Sequence, residues 1–230
     1  MRSFTLDALN SERDLGLRIT SPIEIPENSR SVDYLSVDGR DGSLVTKGAW
    51  LDRETTITVA FSDLDHFKTH TTPALHKARR LTLPVQPGRF YRVLNVEIGK
   101  ITRLLSRLWQ AELVFRLAPF NYHLSNNPIT ATGSMTITNP GTATAHPLIM
   151  VESTASEVRF TLGNTVVRVE MKIPRILLDC ELKEALTPNG TRFVNQYLHG
   201  EFPTLEPGEN RLELAAPNTT LTITVNPKDL

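Results

Sequence analysis

One cysteine, Cys180, occurs among the 230 residues, which excludes an intrachain disulfide. It lies in the apolar run Ile176-Leu177-Leu178-Asp179-Cys180, where a small buried hydrophobe is expected. No apolar run approaches the roughly 18 residues that span a bilayer, so no membrane association is expected. The N-terminal segment lacks the charged start, apolar run and small-residue cleavage site of a secretory signal, and the reducing cytoplasm is the expected compartment of synthesis. Net charge is absent: 25 Lys and Arg balance 25 Asp and Glu, which argues against a surface for nucleic acid or anionic membrane. Tryptophan is confined to Trp50 and Trp109. From residue 131 onward the only Tyr is Tyr197, and Phe160, Phe193 and Phe202 are expected in a core. Flat exposed rings on which a sugar could stack are therefore scarce in that half.

Catalytic signatures are missing as well. No Gly-x-Ser-x-Gly elbow, Gly-x-Gly-x-x-Gly turn or phosphate loop occurs. Cys180 has no basic neighbour or helix start to lower its pKa. Glu181 and Glu184 could pair as glycosidase carboxylates, but such pairs are common in any β protein, and surface charge is the expected role. The strongest metal candidate is Asp63, Asp65, His66, His70 and His76, with His66 and His70 at i, i+4 on a helix. No Glu follows His66 to act as a base, and a solvated polar helix face is the expected role. Asp38, Asp41 and Gly42 lack the oxygen ladder and closing Glu of a calcium loop, so a turn is expected. No enzyme, metal or cofactor is expected. Asn189-Gly190-Thr191 and Asn218-Thr219-Thr220 are expected turns.

What the chain does have is punctuation. Fifteen Pro and twelve Gly separate short alternating runs, the rhythm of a mainly β protein. In the first half strands are expected near 32–37, 55–61, 81–85, 90–98 and 109–117. In the second half they are expected near 135–139, 148–153, 158–162, 166–171, 176–180, 211–215 and 221–225. Gly163-Asn164-Thr165 should join two of them in a tight hairpin. One short or broken helix is expected within 62–79, capped by Ser62 or Asp63 and interrupted by Pro73. Ile101, Leu104, Leu105 and Leu108 fall at helical spacing, yet a hairpin arm is the reading favoured there. Residues 121–132 are polar and turn-rich, and the boundary between domains 1–125 and 126–230 is expected there.

Arg outnumbers Lys by 13 to 4 in residues 1–120, a bias that fits interfaces and fits lineage composition equally. The same residues carry 17 basic against 14 acidic groups, too small an excess to name a partner.

Between two alternating runs, Ser31–Val37 and Thr55–Phe61, lies Val37-Asp38-Gly39-Arg40-Asp41-Gly42-Ser43-Leu44. Its Asp and Gly residues suit a turn with positive φ, placing Gly39, Arg40, Asp41 and Gly42 in one structural turn. With the upstream Ile25-Pro26, Arg30 and Val32, this segment resembles the N-terminal domain of siphophage distal tail proteins. Further resemblances follow in the family's order. They are Leu81–Pro84 with Arg89–Val93, Trp109–Phe120, Asn139–Pro147, Leu178-Asp179-Cys180-Glu181, and Gly200-Glu201-Phe202-Pro203 running on to Pro207-Gly208-Glu209-Asn210.

The resemblance implies a ring-forming, β-rich N-terminal domain with one short helix, and a C-terminal galectin-like or carbohydrate-module-like β-sandwich. It implies a homohexamer at the tip of a non-contractile tail. The ring would dock on the major tail tube protein and on a tail-associated hub protein, and tape-measure protein and DNA would pass its channel. Receptor-binding or baseplate proteins are possible further partners, and no catalytic residue is implied. The expected location is the virion tail tip, with host bacterial cytoplasm during assembly. The alternative from another class is a free-standing carbohydrate-binding or adhesin module.

Overall fold

The computed structural model describes residues 3–230, which divide into two compact units. The first runs to Tyr122 and the second spans His123–Asp229. The molecule is mainly β, as expected, with one short α-helical segment in the first unit and a single 3-10 turn at Asn195–Tyr197 in the second among the described residues.

The first unit contains β1 (Thr5–Leu6), β2 (Leu9–Asn10), β3 (Arg18–Ile19), β4 (Arg30–Ser36), β5 (Ser43–Trp50) and β6 (Arg53–Phe61). After the helical segment come β7 (Arg80–Thr82), β8 (Arg89–Ile98), β9 (Thr102–Leu105) and β10 (Leu108–His123). Its main sheet has the order β2-β1-β7-β8-β10-β6-β3, and β9 folds back on the start of β10. The spine is the antiparallel pair β10–β6, in register from Trp109 opposite Phe61 to Leu117 opposite Arg53. Alternate residues Ala111, Leu113, Phe115 and Leu117 point inward with Ile57 and Val59, the period-two pattern of a half-buried strand. Phe4 meets Phe115 edge-on at 5.9 Å in the same core.

The helical segment closes that core in three phases: α1 (Leu64–His66), a π turn over Phe67–Thr71, and α2 (Thr72–Lys77). Asp63 caps it, its carboxylate accepting the His66 N–H at 2.9 Å. Pro73 has no N–H to donate and would crowd a preceding carbonyl inside a regular α-helix. The Thr72 N–H bonds instead to the Phe67 carbonyl, and Pro73 falls in the first turn of α2, where a missing donor costs little. Phe67 stacks on Phe61 at 4.1 Å, Leu75 is buried, and the Thr71 hydroxyl donates to the Leu15 carbonyl. The expected break at Pro73 is thus a change of helical pitch.

Residues 101–108 form the tip of the β9–β10 hairpin, with Leu104 and Leu105 exposed and no helix. The helical spacing of Ile101, Leu104, Leu105 and Leu108 marks no buried face. Three features escaped the sequence pattern in this unit. The strands β1, β2 and β3 are only two residues long. The partner of β4 is β5, whereas Thr55–Phe61 belongs to β6 in the main sheet. Finally, β4 is largely exposed rather than half-buried.

The second unit contains β11 (Ile129–Ala131), β12 (Met135–Asn139), β13 (Leu148–Ser153), β14 (Glu157–Leu162), β15 (Thr165–Glu170), β16 (Arg175–Asp179), β17 (Glu184–Leu186), β18 (Leu198–Gly200), β19 (Gly208–Leu214), β20 (Thr219–Thr224) and β21 (Lys228–Asp229). Two five-stranded antiparallel sheets, β11-β20-β13-β16-β17 and β12-β19-β14-β15-β18, enclose one core that includes Ile149, Val151, Phe160, Val167, Leu178, Leu212 and Ile223. This is a β-sandwich. Gly163 takes φ 59° at the first position of the two-residue turn between β14 and β15. Cys180 is buried, and burial with nearby Asp179 pushes its thiol up to about 12. Phe193 departs from expectation: it is 62% exposed, bridged to Leu186 of the edge strand β17.

The segment after β20 is fastened by polar contacts within this unit. Asn126 and Asn226 bond reciprocally at 2.6 and 3.1 Å, and Asn226 donates to the His146 carbonyl. His123 meets Asp229 at 3.0 Å, and the Lys228 ammonium lies 3.1 Å from His146 Nδ1. Burial, reinforced by Lys228, holds the His146 pKa below the ordinary 6.5. A histidine depressed in the fold binds its proton better when unfolded. Its contribution is therefore complete above pH 6.5 and drains away as pH falls toward the folded value. Urea midpoints should drop from pH 7.5 to pH 5, and His146→Gln should flatten that drop. An unchanged slope in the variant would place the dependence elsewhere.

Gly141 makes a second, sharper prediction. A Cβ there would collide with the Lys228 carbonyl oxygen, backbone that cannot step aside. Gly141→Ala should cost about 2–4 kcal/mol, the range of severe overpacking. Thr142→Ala, measured by the same denaturation, should cost far less.

Candidate assembly surface

The ribbon β4–β5 forms a sheet of its own, hydrogen-bonded to no third strand among the described residues. Two-stranded ribbons are marginal in water, so the base of this one matters. At that base Arg30 donates through Nε and Nη2 to the Gly48 carbonyl at 3.1 and 3.0 Å, across a register shift between Arg30 and Val32. The same guanidinium lies over the Trp50 ring at 5.0 Å, and Trp50 meets Phe120 of β10 edge-on at 6.4 Å. The ribbon is thereby anchored to the long strand β10 through one arginine and two rings.

Beyond the base the ribbon is bare. Tyr34 is 71% exposed, Leu35 63%, Val45 52% and Leu44 40%. Tyr34 pairs with Val45 and Leu35 with Leu44, so each face of the ribbon carries one apolar cross-strand pair. The tip holds the turn residues singled out from the sequence. Gly39 and Gly42 have φ 77° and 79°, Arg40 donates its N–H to the Val37 carbonyl at 3.2 Å, and Asp38, Arg40 and Asp41 are exposed. A Cβ on either glycine would meet nothing within 4 Å, so positive φ alone calls for glycine there.

An open groove lies at the β3 edge of the main sheet. Ala60, Phe61 and Leu108 line it, Arg18, Glu12 and Ser62 rim it, and its volume is about 360 Å³. Arg18 and Glu12 pair at 3.2 Å with both side chains largely in solvent.

The other candidates are dispersed. His66 and His70 stand 5.1 Å apart, ring to ring, on the helical segment. Asp63 is spent on the cap, and among the described residues no group of three or more His, Cys, Asp or Glu is placed to hold a metal ion. Tyr197 is partly buried against the sandwich core. A shallow groove of about 430 Å³ in the second unit is lined by Glu157, Arg159, Glu213 and Pro217, and the one ring in its lining, Phe160, is buried.

The arginine excess finds use inside the first unit. Arg30, Arg53, Arg80, Arg92 and Arg103 lie over Trp50, Tyr91, Phe90, Tyr122 and Trp109 at 4.1–5.6 Å. A planar guanidinium can lie flat on a ring where an ammonium cannot. Arg53 is buried, with its pKa lowered chiefly by burial. It donates to the Pro26 carbonyl at 3.1 Å and keeps two nitrogens without a partner.

No protein-family model matches the sequence, and no curated protein matches it significantly. Solved structures do. The Dit (gp 19.1) protein of SPP1, described as a paradigm of the hub adsorption apparatus in phages infecting Gram-positive bacteria, aligns over 100% of both chains with a TM-score of 0.69 and 19% identity. A chain of the phage P2 baseplate, in its activated conformation with Ca, aligns over 100% of this chain and 98% of that one, with a TM-score of 0.48 and 8% identity. The similarity to SPP1 Dit extends over both units and establishes a shared fold.

The anchoring by Arg30 is open to a direct test. Arg30→Ala and Gly42→Val should each speed amide exchange in Arg30–Ser36 and Ser43–Trp50. Global stability should change by no more than about 1–2 kcal/mol, because the core does not include these side chains. Equal exchange rates in variant and parent would show that the ribbon is held some other way.

Proposed function

We propose that this chain is a structural, non-catalytic component of the tail tip of a long-tailed phage or prophage. Six copies would form a distal tail ring that joins the tail tube to the tail-associated hub or baseplate and leaves a channel for tape measure and DNA. The observation that carries this reading is the β4–β5 ribbon, a projecting pair of strands with apolar side chains on both faces and no covering surface in its own unit. Such a ribbon is an aggregation hazard unless an assembly covers it. The end-to-end fold similarity to SPP1 Dit supports the reading, as do the sequence segments that resemble distal tail proteins in order.

Heterologous contacts between identical chains close into rings when the rotation permits. Light scattering after size exclusion and negative-stain images should show closed rings of six with a central hole. They should appear in the free protein or after addition of tail tube and hub proteins. A strict monomer at high concentration, unmoved by those partners, would end the proposal.

The carbohydrate-binding alternative gains one observation, the exposed ring of Phe193. A sugar site also needs converging polar groups. Saturable saccharide binding that Phe193→Ala abolishes would favour the adhesin reading for the second unit.

A further inference from the structure

The two-residue strand β21 carries two charged side chains, and each meets a histidine of the second unit. Lys228 is buried, and its ammonium lies 3.1 Å from His146 Nδ1. Asp229 lies 3.0 Å from His123 Nε2, with both side chains largely buried.

These contacts answer to protons with opposite sign. An ammonium has donors only, so His146 Nδ1 must accept and its ring must be neutral. Protonation would give Nδ1 a hydrogen and set two cations side by side in a buried place. His123 faces a carboxylate, so its protonation turns a neutral hydrogen bond into an ion pair.

The charged groups around His146 come from three places. Lys228 lies on β21, Glu181 and Lys183 lie in the turn between β16 and β17, and Glu206 precedes β19. The two carboxylates do not cancel burial and the two lysines, so the His146 pKa is lowered. A lowered pKa means that the closed segment binds this proton less well than the open one. Closure is therefore complete above pH 6.5 and is lost as pH falls toward the folded value.

Lys228 sits between two anchored neighbours. Asn226 is bonded to Asn126 and to the His146 carbonyl, and Asp229 Oδ1 accepts the Thr142 N–H at 2.9 Å. The Lys228 carbonyl accepts the Ala143 N–H at 3.1 Å in an isolated bridge, with Gly141 against the same backbone. A side chain leaving at 228 thus pulls on a one-residue bridge rather than on a long ladder.

We propose that residues 227–229 form a proton-operated strap, in which protonated His146 expels the Lys228 side chain and frees the Ala143–Lys228 bridge while protonated His123 keeps Asp229 clipped. Opening uncovers Gly141 and leaves the rest of the sandwich folded. The strap goes beyond the tail-tip reading and does not depend on it.

Amide hydrogen exchange, corrected for the intrinsic effect of pH, reads the strap directly. From pH 7.5 to pH 4.5 protection of the Ala143 amide should fall at least about tenfold, while amides of Glu157–Leu162 keep theirs. His146→Gln should abolish the fall, since glutamine offers Lys228 an acceptor at every pH. Lys228→Met should abolish it with His146 in place. His123→Gln should enlarge it, because the acid-formed clip is lost. Constant protection of Ala143 in the parent would overturn the strap. So would a fall that persists in His146→Gln, or one no larger in His123→Gln. Equal loss at Ala143 and in Glu157–Leu162 would mean acid unfolding of the whole unit and would overturn it as well.

Discussion

Backbone hydrogen bonding at strand edges is the constraint on which the rest of this structure depends. In the sandwich of the second unit, each sheet ends in short strands: β11 and β17 on one side, β12 and β18 on the other. Short edges offer little template to other chains. In the first unit the terminal strands β2 and β3 serve the same purpose with two residues each. The ribbon β4–β5 breaks the pattern. Its strands are seven and eight residues long, and both outer edges are open. An edge left this long, next to apolar side chains on both faces, is the feature on which the proposed assembly rests.

The second unit was legible because its strands bury one face. Met135–Asn139 and Leu148–Ser153 have the bounds the alternation gave, and the hairpin at Gly163 follows from a turn that needs glycine. The first unit was less legible for the converse reason. In β5 the apolar residues Leu44 and Val45 are adjacent, so no period-two signal arises, and Gly48 further weakens any strand preference. Two adjacent apolar residues on a ribbon are what apolar character on both faces looks like in sequence. The candidate surface was thus visible only as a turn. Its tip was named by Gly39–Gly42, while its working faces were not.

The same logic explains two apolar sets whose sequence pattern misleads. Helical spacing at Ile101–Leu108 reflects a hairpin in which Ile101 packs on the core while Leu104 and Leu105 point to solvent, so the period marks no single buried face. Phe193 is apolar yet exposed, since the strand next to it, β17, is only three residues long and gives it no second layer to pack beneath. Periodicity reads burial against the chain's own core and says nothing of apolar residues that lie outside it.

Arginine ties the two parts of the first unit together. Its rings are stacked under guanidinium groups in five places, and one of these, Arg30 on Trp50, sits where the bare ribbon meets the core. A lysine at position 30 could neither lie flat on Trp50 nor reach the Gly48 carbonyl with two nitrogens at once. An arm that must present side chains to another molecule needs a fixed direction more than it needs stability of its own. Each rotor frozen before contact lowers the entropy that contact would otherwise have to offset. The arginine excess of the first 120 residues, read from sequence as interface or lineage, is at this position an internal brace for the ribbon.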